Sequence, residues 1–224
     1  MLIDMKRIGL AAILCLVTAV TLADPVGAVT AELVSPLGNR SAGKSETGLG
    51  DLVTDSIRSA LGTNVSFVTA SELKPKEPSF DVGNIDHSDV TPLISYPDDP
   101  LAIVELTGTK LREALEKSVS MFPQPNLGFL QVSGLSFKFD ARKAAGQRVT
   151  RVLIGESEIR PDAIYTVAMS NSLANGALGY WKVWSKDAIR RKVADLTMAK
   201  AVERYFIATP RLDYSALSRI NPTQ

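Results

Sequence analysis

The chain has 224 residues, of which 45% are hydrophobic and 22% charged, and 25 basic side chains face 24 acidic ones for a formal charge of +1. That length and composition fit one globular domain with a sizeable core. Near-neutrality gives no field to attract nucleic acid, an anionic membrane or an acidic substrate, so no nucleic-acid partner is expected.

Lys6 and Arg7 precede an apolar run from Ile8 to Leu22, followed by small residues. This is the pattern of a signal peptide, and the run is short for a membrane span. Residues 1–28 are therefore expected to be a signal and cleavage region, with cleavage after Ala23 or Ala28. Residues 29–224 are expected to form the mature domain, secreted or periplasmic and off the membrane once the signal is cut. Cys15, the only cysteine, lies within the run, and Leu14 before it does not suit a lipoprotein site. The mature chain would then hold no disulfide and no thiolate metal site.

Residues 24–46, rich in small residues and prolines, read as an irregular lead-in. Leu49, Leu52, Val53, Ile57 and Leu61 make a helical stripe that starts near Thr47–Gly48 and stops at Gly62. Val65–Val68 reads as a short buried strand. Residues 71–91 are polar, with prolines and a Gly–Asn pair, and read as a long loop followed by a short helix near Val90–Ile94. Leu101–Leu106 leaves no solvated face and predicts a strand covered on both sides. Thr107–Gly108–Thr109 turns it into a helix whose inward face is Leu111, Ala114, Leu115 and Val119. Glu113 and Lys117, four apart, should pair on the outer face. Residues 121–128 form a loop. Phe129–Phe139 reads as a strand whose phase slips at Ser133–Gly134, as a bulge would; Val149–Ile154 would return as its hairpin partner. Ile164–Met169 is a further strand, and 171–184 a glycine-containing loop carrying Tyr180, Trp181 and Trp184. A last helix covers 197–207, and Leu212, Tyr214, Leu217 and Ile220 are candidate anchors of the tail. The irregular alternation predicts an α+β fold, a mixed sheet with packed helices.

Catalytic machinery is not visible. His87 is the only histidine, and transition-metal sites need several imidazole or thiolate ligands. There is no nucleophile elbow, phosphate loop or HExxH motif. No catalytic residue, metal site or cofactor is expected. The aromatic rings at 180, 181 and 184 could stack on a planar ligand or pack in the core. Lys74, Arg40 and Lys44 could contact an anion or simply be solvated.

Several segments, read in order, resemble the C-terminal domain of the 5′-nucleotidase and UDP-sugar hydrolase family. They are Glu46–Ile57, Pro100–Gly108 with Leu111 and Leu115–Glu116, Phe129–Leu135 with Phe139–Asp140, Gly146–Val149, and Tyr165–Ala168 with Asn171, Gly176 and Gly179–Tyr180. The resemblance implies a domain that binds the base and sugar of a nucleotide or nucleoside. In that family a separate metallophosphatase domain supplies the metals and the catalytic His–Asp pair, so the chain resembles the substrate-binding domain standing alone. A separately encoded metallophosphatase chain is the implied partner, and nucleotide breakdown the implied setting. Carried over by position, the implied contacts are Lys74 (where the family has arginine), Tyr96, Asn171, Gly176, Gly179 and Tyr180, with Arg40 near the family's first arginines. Three positions depart from the family: Pro97 and Ser172 stand where it has stacking rings, and Leu178 where it has aspartate. The alternative is a non-catalytic module that kept the scaffold and lost the pocket.

Overall fold

The computed structural model describes residues 29–77, 79–216 and 218–223; the expected signal region 1–28 and the expected anchor Leu217 lie outside the described residues. The lead-in holds a strand, β1 (Thr30–Leu33), and then helix α1 (Gly48–Leu61). The Thr47 hydroxyl accepts from the Gly50 N–H at 3.1 Å, and Gly62 closes the helix at φ +62°, so both helix ends are set by the residues that the pattern marked.

Five strands form the central sheet: β2 (Val65–Thr69), β4 (Pro100–Thr107), β5 (Leu130–Ser133), β9 (Ile164–Ser170) and β10 (Ile189–Thr197). Their order is β10-β4-β9-β2-β5. Only β2 and β9 run parallel; the other neighbours are antiparallel. Alternation along β4 sends Ala102, Val104 and Leu106 to one face and Leu101 to the other, and all four are buried. The Leu101 face packs under α1 and α5 (Met198–Ala208), through Leu52, Val53, Ile57, Ala201, Val202 and Phe206. The opposite face packs against α3 (Gly108–Ser118) and a second sheet, through Leu111, Leu115, Phe137, Phe139 and Val152. The central sheet is thus covered on both sides, as the unbroken apolar run predicts. Each fully buried Leu, Ile or Phe contributes about 1.5–3 kcal/mol.

The second sheet is β6 (Ser136–Asp140), β7 (Val149–Ile154), β8 (Ser157–Glu158) and β12 (Ile220–Thr223), in the order β12-β6-β7-β8. A third, small sheet joins β1 to β3 (Gly83–Asp86) and β11 (Arg211–Leu212).

The structure departs from the expected elements at several points. The phase slip at Ser133–Gly134 is no bulge: it separates β5 from β6, which lie in different sheets. The polar segment 71–91 is not one loop; it holds a 3-10 turn at Ala70–Glu72, strand β3 and helix α2 (His87–Val90). Strand β10 has no counterpart in the sequence reading. It is an edge strand with most side chains in solvent, so alternation is weak there. Glu113 pairs with Lys110 at 2.7 Å, not with Lys117, whose ammonium lies 5.2 Å from the centre of the Tyr180 ring.

Candidate functional site

The strand directions bring four loops to one end of the central sheet. Strands β2 and β9 end there, while β4 and β5 begin there: Leu101 faces Ser170 and Leu130 faces Thr69 across the ladders. Loops at strand ends are where a rigid scaffold presents binding residues. A cavity of about 260 Å³ opens among them, lined by Thr69 at the end of β2, Ser71 and Glu72 just after it, Tyr96 before β4, and Ser172, Leu173, Ala177 and Leu178 after β9. The loop before β5 backs it, with Ser71 N–H donating to the Leu127 carbonyl at 3.0 Å and Ala70 N–H to Phe129 at 2.8 Å.

The polar wall of the cavity is built by short-range bonds. Thr69 donates both its N–H and its hydroxyl to Glu72 Oε2, at 2.7 and 2.8 Å. Burial drives the Glu72 carboxyl above the usual carboxylate range, against the hydrogen bonds from Ser170 and Thr69. The Ser170 hydroxyl accepts from Leu173 N–H at 3.1 Å and caps α4 (Asn171–Ala174). Asp99 accepts from Ser172 N–H at 3.0 Å and ties the loop before β4 to that helix.

Beyond α4 the chain turns through left-handed backbone at Gly176 (φ +91°), Leu178 (φ +54°) and Gly179 (φ +79°). At Gly176 a Cβ would lie 2.6 Å from Cβ of Trp181, so the turn admits no side chain there. Leu178 is the one non-glycine residue of positive φ among the described residues, and it lines the cavity. Bulky side chains rarely adopt that conformation, and strain of this kind gathers at ligand clamps.

Of the implied contacts, Tyr96 alone lines the cavity, 58% exposed, beside the two departing positions Ser172 and Leu178. Tyr180 takes the core-packing alternative and is not the ligand contact the resemblance implies. It is 0% exposed, stacks on Trp184 at 4.9 Å, and donates its hydroxyl to the Gly128 carbonyl at 2.7 Å. The left-handed turn at 178–179 folds that ring inward as the anchor of its loop, while Trp181 takes the exposed position. Lys74 is exposed and its ammonium donates to the Pro92 carbonyl at 2.9 Å, outside the cavity lining. Arg40 lies in a different, open depression, 3.8 Å from Glu77. Asn171 is the first residue of α4, and its amide oxygen accepts from Asn175 at 3.1 Å. Gly176 and Gly179 shape the loop that carries Ala177 and Leu178. Sequence reasoning missed Thr69, Ser71, Glu72, Leu173 and Ala177 as lining residues. Thr69–Ala–Ser–Glu72 is a capping-box pattern just after a strand, a signal that was there to be read.

His87 sits in the short helix α2 with Nδ1 3.2 Å from Asp86 Oδ1. Among the described residues no group of three or more His, Cys, Asp or Glu side chains is placed to hold a metal ion, so the residues present do not fit a dinuclear centre. Nor is any helix of the described residues long and apolar enough to cross a membrane.

Comparison with known proteins gives consistent matches. Residues 25–185 match the profile of a family described as 5′-nucleotidase, C-terminal domain. The chain is 31% identical over 97 residues to a human 5′-nucleotidase, covering 40% of this chain and 17% of that protein. It is 27% identical over 144 residues to the trifunctional nucleotide phosphoesterase protein YfkN of Bacillus subtilis, covering 60% of this chain and 10% of that protein. Among solved structures, a 5′-nucleotidase precursor from Thermus thermophilus superposes with a TM-score of 0.75 at 26% identity, over 87% of this chain and 39% of that one. The chain therefore spans under a fifth of these curated relatives and about two-fifths of that solved structure.

Proposed function

The chain belongs to the 5′-nucleotidase C-terminal domain family, and on that premise we propose that it binds the base and sugar of a nucleotide or nucleoside and presents them to a metallophosphatase on a separate chain. The observation that carries this reading is the convergence of three loops on one cavity. The stretches at the end of β2, before β4 and after β9 are those that the resemblance marks for ligand contact, and together they supply all eight lining residues. Tyr96 offers a ring at the cavity for base stacking. The setting is the secreted or periplasmic breakdown of nucleotides, supported by the charged-then-apolar start of the sequence. The chain acts as a binding module and does not turn substrate over alone.

Calorimetry on residues 29–224 with AMP, adenosine and UDP-glucose tests the proposal. Micromolar affinity, about −8 kcal/mol, with at least a tenfold loss in Tyr96→Ala is the expected result. Silence with all three ligands supports a second reading, a scaffold retained for a binding or structural role without a nucleotide pocket. Pro97, Ser172 and Leu178 favour that reading, since each replaces a group expected at the ligand. Partnership is tested by affinity capture from the native exported fraction; recovery of no metallophosphatase would count against it.

A further inference from the structure

Resting on the reading of this cavity as the ligand site, we infer that Glu72 is its specificity-determining group: the pocket takes an uncharged or cationic planar ring bearing an N–H donor, and gives no hold to a phosphate. Glu72 is 5% exposed and lines the cavity. Thr69 spends both of its donors on Oε2. A carboxyl has about four acceptor sites; with Thr69 on Oε2 and a further hydrogen bond from the Ser170 hydroxyl, one acceptor site remains for a ligand. A ligand N–H on that site makes a hydrogen bond to a group already withdrawn from water, where such a bond is strong. Burial also holds the Glu72 carboxyl above its ordinary range, against the hydrogen bonds from Ser170 and Thr69.

Charge argues in the same direction. None of the eight lining residues is Lys or Arg. The ammonium of Lys74 is committed to the Pro92 carbonyl, and Arg40 belongs to another depression. A second acid, Asp99, stands at the wall through its bond to Ser172 N–H. Size agrees: about 260 Å³ is below the roughly 300–1,000 Å³ of pockets for drug-sized ligands, so it suits a substituted ring better than a whole nucleotide. A site built around a hydrogen bond rejects the analogue that lacks the matching group, because its own polar atom is then stranded.

The experiment is calorimetry on residues 29–224 with adenosine, purine riboside (adenosine without its amino group) and AMP, on wild type and Glu72→Gln. Adenosine should bind at least tenfold tighter than purine riboside, and AMP no tighter than adenosine. In Glu72→Gln the carboxamide oxygen must serve Thr69, which turns an NH2 donor toward the ligand, so adenosine should lose at least tenfold while purine riboside changes little. Equal binding of adenosine and purine riboside to wild type would overturn the inference and leave the proposed function standing, as would AMP binding tenfold tighter than adenosine. Absence of binding by all three would overturn both. The wild-type comparison decides the question even if the variant does not fold.

Discussion

Asp51 is 1% exposed, its Oδ1 has no hydrogen-bond partner among the described residues, and it lies 3.5 Å from Arg219. Burial, partly offset by Arg219 and reinforced by Glu46 and Asp55, lifts its carboxyl to about 9. A carboxyl raised in the folded state is ionised only in the unfolded chain between about pH 4 and 9, so it lowers stability as pH rises through that window. Asp51→Asn should therefore flatten the fall in urea midpoint between pH 5 and 9; parallel wild-type and variant curves would contradict this. Tyr180 makes a second prediction at this scale. Tyr180→Phe strands the buried Gly128 carbonyl and should cost about 1–3 kcal/mol, whereas Trp181→Ala, at a 65% exposed ring, should change the urea midpoint little. The sequence shows three aromatics in one loop but not which of them turns inward. That choice is made by left-handed backbone at 178–179, which no side-chain pattern encodes at Leu178.

The elements that were legible are those whose two faces differ or are both buried. Strand β4 and helices α1, α3 and α5 carry their periodicity within a single segment, with Thr and Gly caps at the ends that have them. Gly134 is where local reading failed. It links β5 to β6 at φ +78°, and a Cβ there would sit 2.0 Å from the Asn64 carbonyl oxygen. Gly134→Ala should cost roughly 1–3 kcal/mol from the left-handed backbone alone, with the clash added, read as a drop in urea midpoint with the fold retained or lost. Strands β1, β3 and β10 were missed for a shared reason. They are short or lie at a sheet edge, and they pair with residues far away in sequence, such as Ala31 with Ile85. Ile189 and Val193 in β10 also fall four apart, a spacing that does not mark a strand.

Across the whole molecule, the C-terminal tail is held to α1 by charge. The Glu46 carboxylate accepts from the N–H groups of Ser218, Arg219 and Ile220 at 3.1, 2.7 and 2.8 Å. Arg219 forks onto Asp55 with two bonds of 2.9 Å and reaches the Val132 carbonyl at 3.1 Å. The clamp holds β12 parallel to β6. Removing one partner of a buried ionic group leaves charge uncompensated, so Arg219→Met should cost about 3–5 kcal/mol, and less in an Asp51→Asn, Asp55→Asn background. At the other end, N-terminal sequencing of exported protein should begin after Ala23 or Ala28; an intact Met1 or Met5 would refute the signal. By itself the sequence determined the α+β class and the family, because both rest on periodic burial and ordered short motifs carried along the chain. Only the tertiary structure decided the pocket. Its residues come from three loops that meet because β2 and β9 end where β4 begins, and strand direction in a mixed sheet is set by long-range pairing.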